Sequence, residues 1–96
     1  MPRNQKLTRV IKGRTVQHST TGPGKLEIIF DDASTMSVKT TAIAAVPPGS
    51  KIEAVLEDGH ECTVRFDNGT SVTLLLADPG ASVAVRNRDG VVEYLG

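Results

Sequence analysis

Ninety-six residues can bury one hydrophobic core but not two, because a half-length unit would hide too small a fraction of its surface to stand alone. With 39% hydrophobic and 23% charged residues the chain is far from the composition of a disordered segment, and with no Trp, one Tyr and two Phe its core must be mainly aliphatic. No stretch approaches the roughly 20 apolar residues of a membrane span, the opening residues lack the apolar block of a secretory leader, and the single cysteine, Cys62, has no internal partner, so a soluble, cytoplasmic protein is expected.

A net charge of zero conceals an uneven distribution. Six of the eleven bases fall within residues 1–25, ahead of the first acid, Glu27, which leaves five bases against eleven acids in the remainder. Residues 1–12 read as a basic N-terminal arm or strand. Arg3, Lys6, Arg9, Lys12 and Arg14 are the candidate contacts for a partner, either an acidic protein surface, including that of a second copy, or nucleic acid.

Residues 13–40 form the first of two similar units. Leu26, Ile28 and Phe30 alternate on one face of a strand, and Met36 and Val38 on one face of the next. The run Thr20-Thr21-Gly22-Pro23-Gly24-Lys25 reads as a flexible hairpin loop. Its Gly-Lys pair is not a phosphate-binding loop, which needs G-x-x-x-x-G-K-[ST] leading into a helix, whereas Leu26 opens a strand. The apolar stretch 42–46, before Pro47-Pro48, reads as a connector or at most a short turn of helix, and helix is expected to make up under one-tenth of the chain.

Residues 49–76 repeat the first unit at an offset of 36. Phe30-Asp31-Asp32-Ala33-Ser34-Thr35-Met36-Ser37-Val38 matches Phe66-Asp67-Asn68-Gly69-Thr70-Ser71-Val72-Thr73-Leu74 by identity or similarity throughout, and Gly13, Val16, Leu26 and Ile28 fall on Gly49, Ile52, Cys62 and Val64. A three-residue loop Asp67-Asn68-Gly69, with glycine in the left-handed position, pairs Val64 with Val72 and Cys62 with Leu74; a two-residue loop would set Arg65 against core-facing Val72. If the first unit turns the same way, Ala33 takes a positive φ at a cost of about 1 kcal/mol. By the same solution Glu57-Asp58-Gly59 would pair Leu56 with His60, Ala54 with Cys62 and Ile52 with Val64. In the C-terminal hairpin, 82–96, a two-residue Asp89-Gly90 loop sets Val85 against Tyr94, Arg86 against Glu93 and Asn87 against Val92. The fold class that follows is all-β: a small antiparallel barrel, or a two-sheet sandwich, made of two similar three-strand meander units plus a C-terminal hairpin, with the barrel favoured.

Chemistry-bearing motifs are missing. His18, His60 and Cys62 do not have the paired spacings of a four-ligand zinc site, so no metal is expected. No nucleophile elbow accompanies Cys62 or any serine, so no catalytic residue and no enzyme activity is expected, nor any cofactor. Asp31, Asp32, Asp58, Asp67, Asp78 and Asp89 all fall in expected turns, where side-chain hydrogen bonding to the backbone accounts for them. Phe30 and Phe66 alternate in phase with core residues and leave no platform for stacking bases. The sequence therefore points to a small non-enzymatic interaction module that binds a protein partner or self-associates, the alternative being a nucleic-acid-binding module acting through the basic arm. The third reading is an enzyme or small-ligand carrier with a pocket between the two units, lined by equivalent positions such as His18 and Ala54.

Overall fold

A computed structural model describes residues 2–41 and 45–96. Among the described residues are one helix and eight strands: α1 (Gln5–Ile11), β1 (Val16–Gly22), β2 (Lys25–Phe30), β3 (Thr35–Lys39), β4 (Ile52–Asp58), β5 (Glu61–Phe66), β6 (Ser71–Leu75), β7 (Val83–Arg86) and β8 (Val92–Leu95). The protein is mostly β. The strands make two antiparallel sheets, β1-β2-β3-β7-β8 and β4-β5-β6. The sheets touch through single bridges, Thr15 with Lys51 and Thr40 with Leu76, instead of a continuous ladder, and no closed barrel is found among the described residues.

Both three-stranded segments are built by the same backbone rules. Gly13 N–H donates to the Ile52 carbonyl as Gly49 N–H does to that of Val16, and Asp31 N–H to Thr15 as Asp67 N–H does to Lys51. A bulge interrupts β1 after Val16 and β4 after Ile52, positions 36 apart. The turns that follow β2 and β5 also correspond. Phe30 N–H donates to Ser34 and Phe66 N–H to Thr70, and the residues in the left-handed position are Ala33 (φ 70°) and Gly69 (φ 87°). Asp32 Oδ1 accepts from Ser34 N–H at 2.9 Å and Asn68 Oδ1 from Thr70 N–H at 3.0 Å, the Asx geometry that short polar side chains supply at turns.

The pairings read from the later turn hold: Val64 stands opposite Val72 and Cys62 opposite Leu74. The pairings read from Glu57-Asp58-Gly59 do not. Asp58 pairs with Glu61 around a two-residue Gly59-His60 loop, which sets Glu57 against Cys62, Val55 against Val64 and Ile52 against Phe66. Gly59, at the first loop position, supplies the positive φ (58°) that a two-residue turn of type II′ takes there, and the bulge at Glu53 returns Ile52 to the core face that the shorter loop would otherwise reverse. In the first unit the loop is only Pro23-Gly24, and Thr20-Thr21-Gly22 continue β1. The C-terminal hairpin also departs from the expected register. Asn87 N–H donates to the Val91 carbonyl across Arg88-Asp89-Gly90, so Arg86 pairs with Val92 and Glu93 bulges out, while Val85 does stand opposite Tyr94.

Residues 5–11, expected in an arm or strand, are helical instead. Asn4 caps the helix by accepting from Leu7 N–H at 3.0 Å, Leu7 and Ile11 at i and i+4 bury one stripe, and Gly13 (φ 85°) lets the chain leave after Lys12. The apolar stretch read as a connector falls partly on 42–44, outside the described residues. Leu7, Ile11, Leu26, Ile28, Phe30, Met36, Val55, Cys62, Val64, Phe66, Leu74 and Val85 meet in one cluster, so helix and both sheets share a core. Each fully buried Phe contributes about 1.5–3 kcal/mol by leaving water.

Candidate functional site

Each three-stranded segment has two lateral edges, and the two pieces of chain outside them cover one edge apiece. On the second unit the N-terminal segment lies along β4: Asn4 N–H donates to the Val55 carbonyl at 2.8 Å, Glu57 N–H to the Pro2 carbonyl at 2.9 Å, and Val55 N–H to the Thr8 hydroxyl at 3.0 Å. On the first unit β7 pairs with β3, Ser37 opposite Ala84 and Val38 opposite Val83, with Lys39 N–H donating to the Ser82 carbonyl at 2.8 Å. Of the four edges of these two segments, those of β1 and β6 have no partner strand among the described residues, and β8 ends the five-stranded sheet.

The geometry of β6 follows from its register. Phe66 N–H donates to Thr70 and Leu76 N–H to His60, so even-numbered positions bond to β5, and the backbone groups of Ser71, Thr73 and Leu75 turn the other way. Those three residues stand 36 positions beyond Thr35, Ser37 and Lys39, whose equivalent groups hold β7. At its end the edge is taken up by residues 39–41: Thr41 N–H donates to the Leu75 carbonyl, Ala77 N–H donates to the Lys39 carbonyl, and Thr40 bridges Leu76, which leaves Ser71 and Thr73 as the outward-turned positions. The strand, Ser-Val-Thr-Leu-Leu, carries neither charge nor proline, and Leu75 is 39% exposed. Natural sheets usually protect an edge with lysine, proline or a bulge, none of which is present here.

The basic residues singled out from the sequence separate into two groups. Arg3, Lys6, Arg9 and Lys12 are exposed, Arg3 bridging to Leu56 at the β4 edge. Arg3, Arg9 and Lys12, with Gln5 and Thr8, line a shallow groove beside α1. Arg14 is drawn inward: its Nη2 reaches Glu93 Oε1 at 3.0 Å and Oε2 at 3.2 Å, its Nε lies 3.8 Å from Asp32 Oδ2, and its guanidinium is 6.0 Å from the Phe30 ring centre. The side chain is 17% exposed, and it joins the first unit to the C-terminal hairpin.

The remaining candidates are dispersed. His18 is exposed on β1 while Ala54 is fully buried on β4, so the two do not line a common pocket. His60 is exposed, its Nδ1 3.0 Å from the Leu76 carbonyl. Cys62 is buried in the core, where loss of hydration, with the Glu57 charge adding to it, pushes the thiol up to about 12, far from thiolate reactivity at neutral pH. Among the described residues no group of three or more His, Cys, Asp or Glu side chains gathers as a metal-ligand set, and no helix is long and apolar enough to cross a membrane.

What fold and surface define together is a two-sheet antiparallel β protein with an uncharged strand edge. Comparison with protein-family models, curated proteins and solved structures gives no match.

Proposed function

We propose that the chain is a non-enzymatic interaction module that pairs with a second copy of itself through the edge of β6. The observation that carries this reading is the pair of outward-turned backbone positions at Ser71 and Thr73 on a strand without charge or proline. Strand addition draws its affinity from such main-chain groups and its specificity from the alternate side chains. A second copy is the fitting occupant because the edge is self-complementary. In antiparallel pairing about a twofold axis at Val72, Ser71 faces Thr73 and Val72 faces Val72, with no like charges opposed. The alternative, nucleic-acid binding through the N-terminal cations, has less support, since Arg14 is already held by Glu93 and Asp32.

Light scattering on the wild type and on Thr73→Pro tests the proposal. Proline at an outward position removes one edge donor without breaking the β5–β6 ladder, as edge strands allow. The wild type is expected to dimerise as concentration rises toward about 10⁻⁴ M, the weak regime of a small interface, and the variant to stay monomeric with its circular-dichroism spectrum intact. A wild type that remains monomeric over that range, or a variant that dimerises equally well, overturns the reading.

A further inference from the structure

The outer face of the five-stranded sheet carries a groove of about 610 Å³ with Ser37 and Ala84 in its floor and Lys25, Lys39, Arg86 and Leu95 around it. Three cations and no acidic side chain line it, in a chain whose net charge is zero. Two of the cations are placed against each other. Lys25 is the direct cross-strand partner of Lys39, and because Thr40 N–H donates to Gly24 and the next pair inward is Leu26 with Val38, the two lysines occupy a non-hydrogen-bonded position, where facing Cα atoms come closest, about 4.5 Å apart. Like charges so opposed destabilise a sheet. Lys25 is 3.5 Å from Glu27, but both side chains are well exposed, and such a pair offsets little. At the equivalent site of the second unit the partners are Glu61 and Leu75, so the backbone does not require a lysine pair here.

We infer that this groove binds a small phosphate-bearing molecule. Its phosphate would bridge the Lys25 and Lys39 ammonium groups, with Arg86 at the far side and the Ser37 hydroxyl as a neutral donor, and its apolar part would rest on Ala84 and Leu95, the latter 68% exposed. The groove volume lies in the range of small-molecule sites. A nucleic-acid strand fits less well, because Phe30 and Phe66 are buried, Tyr94 is hydrogen-bonded to Asn4, and no aromatic side chain lines the groove to stack a base. Binding would relieve the repulsion that the empty groove carries, so affinity and the lysine pair are coupled.

The test is a titration of the full chain with inorganic pyrophosphate, phenyl phosphate and methyl phosphate, at constant ionic strength, followed by amide chemical shifts, on the wild type, Lys39→Gln and Lys12→Gln. Saturable shifts centred on Lys25, Ser37, Lys39, Ala84 and Arg86 are expected, unchanged in Lys12→Gln and weakened at least about tenfold in Lys39→Gln, the effect of losing one charged hydrogen-bond partner. A tighter fit for phenyl phosphate than for methyl phosphate is expected from the apolar wall. Free Lys39→Gln should also melt higher than the wild type, by about 1–5 °C, once the like-charge pair is gone. Absence of saturation by about 10 mM, the affinity of no useful site, shifts centred on Arg3, Arg9 and Lys12, or undiminished binding by Lys39→Gln overturns the inference.

Discussion

The first and second three-stranded units share their bulges, their turns and their mutual hydrogen bonds, yet each is completed by a different piece of chain on a different edge. The first receives a strand, β7, alongside β3; the second receives residues 2–4 and the helix alongside β4. Where one unit is covered the other is open, so the edges of β1 and β6 remain. The side chains diverge in the same way: the lysine pair of the first unit's outer face corresponds to Glu61 and Leu75 in the second. Backbone hydrogen bonding constrains what must be alike, and the positions free of that constraint are where partner surfaces differ.

The largest test of this comparison is to uncover the β4 edge. Thr8→Val keeps the shape but leaves the buried Val55 N–H without its partner, which should cost about 1–3 kcal/mol in denaturant unfolding. Ser19→Val, at the corresponding position of the open β1 edge, should stay within about 0.5 kcal/mol of the wild type. Equal losses at both sites would mean that the two edges are not differently covered.

A smaller effect is expected at the matched turns. Ala33→Gly should stabilise by about 0.5–1 kcal/mol and Gly69→Ala should destabilise by about 1–2 kcal/mol, because only the side chain, not the φ, differs between the sites. Thermal melts of both variants read the signs directly, and a lower melting temperature for Ala33→Gly would contradict the shared turn geometry.

The smallest effect separates Asp32 from its neutral counterpart Asn68. The Ser34 hydroxyl, donating to the carboxylate, holds Asp32 below the usual range; burial opposes this, and the Ser34 N–H and the Arg14 charge add to it. A depressed folded-state value stabilises above the unfolded value, here near 3.8, and that contribution disappears as pH falls through the folded one. Half exposed, the side chain should contribute below about 1 kcal/mol. Urea midpoints of wild type and Asp32→Asn should therefore converge as pH is lowered from 6 towards 2.5, and a gap that persists or widens would assign the stabilisation elsewhere.

Much of this was legible in the residues, and the exceptions have identifiable causes. The Phe-Asp-Asp/Asn-Ala/Gly-Ser/Thr segments specify a turn through both Asx bonding and a left-handed residue, so register there follows from local chemistry. The Gly59-His60 hairpin was obscured because a bulge at Glu53 compensates a one-residue slip, and alternation alone cannot distinguish a slip with a bulge from neither. The helix was hidden by its charges: Asn4 as cap, Leu7 and Ile11 at i and i+4, and Gly13 beyond the end formed a start-and-stop pattern within a segment dominated by cations. The lysine pair was within reach, since the turn at 31–33 already sets residue 25 opposite 39. Arg86 joins them only through the docking of β7, which no local pattern encodes.

The hydrogen bond from Asn4 Nδ2 to the Tyr94 hydroxyl, at 2.9 Å, spans 90 positions of chain. Bringing residues 4 and 94 together closes a long loop, whose entropic cost comes before any gain from the contact, so a φ-value near zero is expected for Tyr94→Phe, read from folding and unfolding rates. Interactions with such a φ-value act on the rate of unfolding and leave the rate of folding nearly untouched. Losing the bond that joins the cap of α1 to β8 is then expected to shorten the lifetime of the native state more than it slows folding.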